Sequence, residues 1–345
     1  MNKNKLREFA ISQILFRPTT LARAIDQLGF VQMDPVRSPA RAQDLILRHR
    51  VAGYRAGDAE KNYPALNVEE DYLYAYGYMP RDISNLWHPK KVGRLSAFDK
   101  KVLEAAREMG EINPKKLEEY FGKKTVRNWW GGRSRAAKHS LDILNYWGFV
   151  KVVRREKGQR VYKVRQLGEQ KLTLAERKMQ LILAIIKILS PVTERKLGAA
   201  LHFLKQGLGD TKSVLDRLIK SGELTKQKID GVNYLFLAET RAPKSHEGVK
   251  ILAPFDPLVW DRGRFEHLWG WEYRFEAYTP APKRVRGYYA MPLLWNNNVI
   301  GWANAKKDSG KLNVDFGYVN GPPSSKEFQK ALEEEIENLN IFLLE

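Results

Sequence analysis

The chain contains no cysteine, and its histidines are few and scattered. Its 345 residues include six histidines. Without cysteine there can be no disulfide, no iron–sulfur cluster and no cysteine-based zinc site. The histidines form neither a His-x-x-x-His nor a His-x-Glu pattern, so we predict that the protein uses no metal and no cofactor. The lack of cysteine also fits a reducing compartment, and we expect a cytoplasmic location, with nucleoid association if the source is prokaryotic.

Long apolar segments are absent as well. No apolar run approaches the ~20 residues that a membrane-spanning helix requires. Residues 1–17 alternate charged and apolar positions and lack the apolar block of a signal peptide. The hydrophobic fraction of 43% is ordinary for a folded protein. We therefore expect a globular protein without a membrane partner.

Acidic residues are outnumbered by basic ones. The chain has 59 Lys and Arg against 40 Asp and Glu, a formal charge of +19. A charge of this size predicts the kind of partner rather than the fold, with nucleic acid first and an anionic membrane surface second. The excess is concentrated, because residues 123–165 hold 13 basic and only two acidic residues. Such density is typical of a surface that binds phosphates.

The predicted elements repeat in one order. We predict helices over 97–108, 114–121 and 134–147, followed by strands over 149–154 and 160–164. Three helices and a hairpin are typical of a winged helix, in which the third helix can enter a groove of DNA. The same order recurs later in the chain, with helices over 174–189, 193–204 and 212–221 and strands over 224–229 and 232–237. The N-terminal helices predict a third, more divergent copy.

The sequence thus predicts an α+β fold, with three tandem winged-helix units followed by a C-terminal β-rich domain. The predicted domains are an N-terminal unit over 1–96, a highly basic second unit over 97–168, a third unit over 172–238, a polar linker over 239–250 and the C-terminal domain over 251–345. The C-terminal domain is expected to contain strands over 287–294, 299–305 and 312–318. Ser324 and Glu327 are expected to form a capping box for its final helix.

The triplet Gln32-Met33-Asp34 follows a predicted helix that Thr19 or Thr20 can cap and that ends at Gly29. If Val31 and Met33 point into a core, strand alternation places Gln32 and Asp34 on the opposite face, about 7 Å apart at the backbone. An amide and a carboxylate side by side can hold and activate a water. From the residues alone, a turn before Pro35 is the better explanation of Asp34, and an exposed strand position is the better explanation of Gln32.

Two blocks of sequence resemble a known family. One is Leu28-Gly-Phe-Val-Gln-Met-Asp34, and the other begins with Ala253-Pro-Phe-Asp-Pro-Leu-Val-Trp-Asp-Arg262 and continues through Trp269-Gly-Trp271, 273–280 and 283–289. They are similar to the winged-helix DNA glycosylases of the AlkZ/YcaQ-like group, in the subgroup with a Gln-x-Asp motif. These enzymes act on alkylated bases and unhook DNA interstrand crosslinks. Since the blocks lie at both ends of the chain, the resemblance covers the whole protein.

The resemblance implies a role for the triplet. The protein would be a monofunctional DNA repair glycosylase, monomeric, acting on double-stranded DNA that contains alkylated bases. An N7-alkylated purine is already cationic, so its departure needs little help from an acid, and one carboxylate can suffice. Asp34 would activate a water and stabilise the positively charged sugar, while Gln32 would orient that water.

Two departures from the family pattern concern the substrate range. The family has a histidine after Ala40-Arg-Ala42, where this chain has Gln43. A later stretch of the family carries a Trp and a His, where this chain has Tyr72 and Tyr74. These differences indicate a distinct subgroup with the same basic chemistry.

Fifteen residues are predicted to contact DNA, several of them at its backbone. Such contacts position a protein without reading sequence. They are Arg37, Arg41, Arg48 and Arg50 after the motif, Arg133, Arg135, Lys138 and His139 at the start of the recognition helix of the second unit, Arg154, Arg155, Lys157 and Arg160 in its wing, and Lys283, Arg284 and Arg286 in the C-terminal block. For the first four, a solvated helix face is an equal alternative.

The winged-helix pattern alone also fits a DNA-binding protein without enzymatic activity, such as a transcription regulator or a scaffold. Release of free base from alkylated DNA, without metal or nucleotide, separates an enzyme from these alternatives.

Overall fold

The computed structural model describes residues 1–88, 95–128, 131–166, 172–208, 211–237, 245–308 and 310–344. The chain divides into two compact units. The first unit contains residues 1–59, 185–200 and 212–345, and the second contains residues 60–184 and 201–211. Residues 60–88, predicted as part of the N-terminal domain, thus group with the second unit. The predicted domain boundaries stay a prediction.

Helices and strands are interspersed throughout the described residues. The helices are α1 (Lys3–Ile14), α2 (Leu21–Leu28), α3 (Ala42–Leu47), α4 (Asp58–Asn62), α5 (Arg81–Trp87), α6 (Ala97–Met109), α7 (Pro114–Phe121), α8 (Ala136–Tyr146), α9 (Leu174–Leu189), α10 (Glu194–Leu208), α11 (Lys212–Lys220), α12 (Pro257–Trp260), α13 (Arg262–Trp269) and α14 (Lys326–Phe342). The strands are β1 (Val31–Gln32), β2 (Val68–Tyr72), β3 (Tyr76–Pro80), β4 (Glu111–Ile112), β5 (Thr125–Arg127), β6 (Arg133–Arg135), β7 (Val150–Glu156), β8 (Gln159–Val164), β9 (Val192–Thr193), β10 (Leu224–Ile229), β11 (Val232–Leu237), β12 (Val249–Ile251), β13 (Met291–Trp295), β14 (Asn298–Asp308) and β15 (Lys311–Tyr318).

The second compact unit of the structure contains the winged helix that was predicted over residues 97–168. Its elements follow the order α6, β4, α7, α8, β7, β8, and the strands form a sheet in the order β4-β8-β7. Local signals explain the helix starts, because Ser96 and Asp99 form a capping box for α6 and Asn113 caps α7 ahead of a proline. One expectation is wrong. The third helix begins at Ala136, and residues 133–135 belong to the added hairpin β5–β6.

The second predicted repeat has the same topology. Strands β9, β10 and β11 form a sheet in the order β10-β11-β9, which matches β7-β8-β4. The hairpin pairs Leu224 with Leu237 and Ile229 with Val232. Asp230 and Gly231 at its turn have φ of 44° and 85°, as a tight two-residue turn requires. The predicted strands of this repeat are confirmed to the residue.

The C-terminal domain is a four-stranded antiparallel sheet, β12-β13-β14-β15, followed by α14. Residues 249–250, predicted as the end of the linker, lie in β12 and pair with β13. Linker residues 239–244 lie outside the described residues. The cap of α14 is Ser325, whose hydroxyl accepts a hydrogen bond from Phe328 N–H at 3.2 Å, and the prediction of Ser324 is corrected.

A shared apolar core joins both ends of the chain within the first unit. Leu6 and Phe9 of α1 are at most 2% exposed and belong to one cluster with Phe265, Tyr273 and Leu294. Since helix α1 precedes the Gln32 triplet and the other three residues lie in the C-terminal part, burial holds these distant segments together. Among the described residues, no helix is long and apolar enough to cross a membrane.

Candidate active site

Helix α2 places the triplet. Thr20 caps its N-terminus, and Gly29 ends it in the left-handed conformation with φ of 68°, where a side chain would be strained. Phe30 and Val31 follow and are at most 1% exposed, so they anchor the chain in the core. Gln32 therefore leaves the core at a fixed point.

The predicted alternation ends after Gln32. Strand β1 has only two residues, and Met33 is half-buried instead of filling a core position. The chain turns because Asp34 Oδ1 accepts a hydrogen bond from Val36 N–H at 2.9 Å. Asp34 thus has the structural role that the sequence left open. Its other oxygen, Oδ2, accepts no hydrogen bond among the described residues, so the carboxylate retains acceptor capacity.

Both polar side chains of the triplet are poorly solvated. Burial raises the pKa of Asp34 above its ordinary value, and the hydrogen bond from Val36 opposes part of this rise. The Oε1 atom of Gln32 is buried and has no hydrogen-bond partner within the described part of the chain. A buried acceptor without a partner costs about 1–3 kcal/mol, so a water or a substrate group is expected there.

Two tyrosines from the C-terminal part lie within reach of the charge of Asp34. The pKa of Tyr278 and the pKa of Tyr289 are raised, first by burial and then by the charge of Asp34. Tyr289 is 2% exposed, and its hydroxyl has no hydrogen-bond partner among the described residues. The ring of Phe275 meets both tyrosines edge-on, with ring centroids 5.3 Å from Tyr289 and 6.0 Å from Tyr278. The site therefore combines a desolvated carboxylate, a free amide oxygen and an aromatic wall.

The sequence matches the model of a family described as DNA glycosylase AlkZ-like over residues 25–342. The chain belongs to the AlkZ-like DNA glycosylase family. The DNA glycosylase AlkZ of Streptomyces sahachiroi is similar in fold, with a TM-score of 0.62, 14% identity, and coverage of 99% of this chain and 96% of that chain. The resemblance, the α+β fold and the enzyme class are confirmed. The alternative of a non-enzymatic regulator is wrong, because the family is enzymatic.

The glycosylase buries two of the arginines that were predicted to contact DNA after the motif. Arg48 lies 2.5 Å from the carboxylate of Glu335, and its side chain is 3% exposed. Arg50 is 0% exposed, lies 2.9 Å from Asp256 and donates to Ile14 O. These predictions are corrected, because both guanidinium groups are used inside the fold. Arg37 is exposed and Arg41 is half-buried, so contact by either stays a prediction.

Two of the four arginine and lysine residues predicted to contact DNA from the wing are paired with a buried carboxylate, and DNA contact by the wing stays a prediction. Arg155 Nε and Arg160 Nε each lie 3.0 Å from an oxygen of Glu70, whose side chain is 1% exposed. These two guanidinium groups are neutralised within the unit. Arg154 pairs with Glu111 and Glu156 at the surface, and Lys157 is exposed at the turn.

The remaining predicted DNA contacts are more accessible. Arg133 and Arg135 are exposed on β6, not on the recognition helix, which corrects their placement. Lys138 and His139 lie on α8, where Lys138 pairs with Asp142 at 2.7 Å. Lys283 is exposed, whereas Arg284 and Arg286 are half-buried. DNA contact by these residues stays a prediction.

The three positions that depart from the family pattern lie in a helix and in a hairpin. Gln43 lies on α3, 2% exposed, and its Oε1 has no hydrogen-bond partner in the described structure. Tyr72 and Tyr74 belong to the hairpin β2–β3 of the second unit, in which Tyr72 pairs with Tyr76.

Sequence reasoning missed Tyr278 and Tyr289. The C-terminal block was recognised, but only its basic residues were assigned a role. The spacing of residues carries no signal for these tyrosines, because they lie more than 240 positions from Asp34. In the ranges that the structure describes, no group of three or more His, Cys, Asp or Glu could hold a metal ion.

Proposed function

We propose that this glycosylase hydrolyses the N-glycosidic bond of N7-alkylated purines in double-stranded DNA, and that Asp34 activates a water oriented by Gln32. One observation carries the proposal. A carboxylate whose pKa is raised by burial stands two residues from a buried amide oxygen without a hydrogen-bond partner. Two acceptors of this kind suit a water that donates one O–H to each.

A water, Asp34 and the cationic purine account for every bond that forms or breaks in this reaction. Cleavage of the bond between sugar and base leaves the bonding electrons on the cationic purine, which departs neutral and needs no proton. The water oxygen forms the new bond to the anomeric carbon and transfers a proton to Asp34. Before that, the negative charge of Asp34 stabilises the positive charge that develops on the sugar. The raised pKa makes Asp34 a stronger base than an exposed aspartate.

Water as the nucleophile implies release of the base without cleavage of the strand, which is monofunctional action. We extend the proposal to purines linked in an interstrand crosslink because the site is open on one side. Tyr278 is 74% exposed, so the aromatic wall does not enclose the base. A bulky adduct would project past it into solvent.

The test is release of N7-methylguanine from duplex DNA and unhooking of N7-linked crosslinks by the full chain. Asp34→Asn keeps an oxygen that accepts from Val36 N–H, so the turn is retained. We expect a loss of about 100-fold or more in the rate of base release. Gln32→Ala should lose a smaller factor, and thermal melting serves as the folding control. Full activity of a folded Asp34→Asn protein would contradict the mechanism.

A further inference from the structure

Three exposed apolar side chains lie together in residues 278–288. Tyr278 is 74% exposed, Val285 is 78% exposed and Tyr288 is 43% exposed. Single exposed apolar residues are common and need no explanation. Three within eleven residues, one of them within reach of the charge of Asp34, indicate a surface that contacts a partner.

The backbone of this segment is held in one shape. The Oε2 atom of Glu276, which is 4% exposed, accepts N–H groups from Val285, Arg286 and Gly287 at 3.0, 2.8 and 3.2 Å. Asn304 Nδ2 donates to Arg286 O at 2.7 Å. Gly287 has φ of 121°, and a Cβ there would lie 2.4 Å from Asn304 Oδ1. A preformed loop presents its apolar side chains with a smaller entropy loss on binding.

Cations flank the apolar side chains. Lys283 is exposed, and the guanidinium carbon of Arg284 lies 5.0 Å from the ring centroid of Tyr288. Arg284 Nε donates to Thr279 O at 2.8 Å, which fixes its direction. Positive charge beside flat aromatic faces matches a partner with phosphates and stacked bases. A protein partner would not explain why the segment adjoins the carboxylate of a DNA glycosylase.

We propose that residues 278–288, here termed the aromatic wedge, enter duplex DNA at the lesion. Val285 inserts between base pairs, Tyr278 and Tyr288 stack on the exposed bases, and Lys283 and Arg284 contact the backbone. Apolar side chains that unstack a base step are a known way of opening a duplex, and flat rings tolerate any base. The inference rests on the proposed function, since the wedge serves the site of Asp34.

The wedge predicts a difference between duplex and single-stranded substrates. In a duplex, the sugar–base bond of a stacked purine must be exposed before a water can attack it. In a single strand no base pair has to be opened. Loss of the wedge should therefore slow release from the duplex and leave the single strand almost unaffected.

The experiment compares the full chain with Val285→Ala/Tyr288→Ala in single-turnover release of N7-methylguanine from duplex and from single-stranded DNA. We expect a duplex rate lower by about tenfold, as the loss of one base-stacking contact predicts. The single-strand rate should change less than about twofold. Val319→Ala is the matched control, because Val319 is 41% exposed and lies outside the wedge. Equal rates of variant and wild type on the duplex, or equal losses on both substrates, would overturn the proposal.

A second readout needs no cleavage. 2-Aminopurine placed beside an uncleavable abasic analogue in duplex DNA brightens when it is unstacked. Wild type and Val319→Ala should raise the fluorescence, and the double variant should not. Unstacking by a wild type that releases no base would reject the proposed function and keep the wedge. Base release from the duplex without any unstacking would reject the wedge alone.

Discussion

Carboxylates are shielded from water in two regions of the glycosylase, and the side chains around them differ in charge. In the second unit, Glu69, Glu70 and Asp71 on β2 are at most 3% exposed and are surrounded by cations. In the first unit, Asp34 is half-buried, and the pKa values of two tyrosines, Tyr278 and Tyr289, are raised by burial and then by its charge. A buried carboxylate with a guanidinium partner stabilises structure, whereas one without such a partner retains its basicity for chemistry.

The acidic stretch accounts for much of the charge in residues 123–165. Arg155 and Arg160 bind Glu70, and Arg165 lies 2.5 Å from Glu69 and 3.3 Å from Asp71. The nominal excess of basic residues is thus partly neutralised from another part of the chain. A count of charge along the sequence overestimates the charge that DNA can meet.

The largest expected effect is on stability. Glu70→Gln leaves Arg155 and Arg160 without their buried carboxylate, and such a loss lowers the free energy of unfolding by about 3–5 kcal/mol. Chemical denaturation measures it. Glu194→Gln is the control, because Glu194 pairs with Lys226 at 2.7 Å on the surface, where about 1 kcal/mol or less is expected. Equal, small losses for both variants would show that the arginines are free to leave Glu70 and bind DNA.

The second prediction concerns pH. The pKa of Asp34 is raised, so the rate of base release should fall as pH falls through a value above the ordinary range near 4, about tenfold per pH unit. The same shift has the opposite sign for stability. Ionised Asp34 destabilises the fold above its raised pKa, and this penalty vanishes below the ordinary pKa. Asp34→Asn should therefore melt at an equal or higher temperature near pH 7 and show no gain near pH 3. A gain at acid pH alone would contradict this.

The third prediction asks whether the tyrosine beside Asp34 takes part. Tyr289→Phe removes a buried hydroxyl without a hydrogen-bond partner in the described structure, so stability should not fall. If that hydroxyl donates to Asp34 or to its water, the acid limb of the rate profile should move upward and the rate on that limb should fall by about tenfold. Tyr273→Phe is the matched control. Its hydroxyl donates to Ala290 O at 2.6 Å, so the variant should lose stability and keep the wild-type pH profile.

Local signals made most of the fold predictable, and distance along the chain hid most of the site. Gly29, Asn113 and the turn at Asp230 act on their nearest neighbours, so the sequence shows where helices and hairpins end. Arg48 instead meets Glu335, 287 positions away, in an acidic run that resembles a solvated helix face. No spacing rule tells whether an arginine will meet water or a carboxylate. The triplet was found from its position and spacing and was given its role through family resemblance, whereas the two tyrosines near it were not found.

The smallest expected effect separates exposed cations from internally paired ones. Each phosphate contact contributes about −0.9 to the slope of log K against log salt concentration for duplex DNA. Lys283→Ala removes an exposed cation of the aromatic wedge, so the slope should become less steep by about that amount. Arg155→Gln removes a charge already engaged by Glu70, so the slope should stay that of the wild type. Binding titrations at several salt concentrations measure both. A reversed result would place the DNA backbone on the wing of the second unit and leave the cations of the wedge without a phosphate.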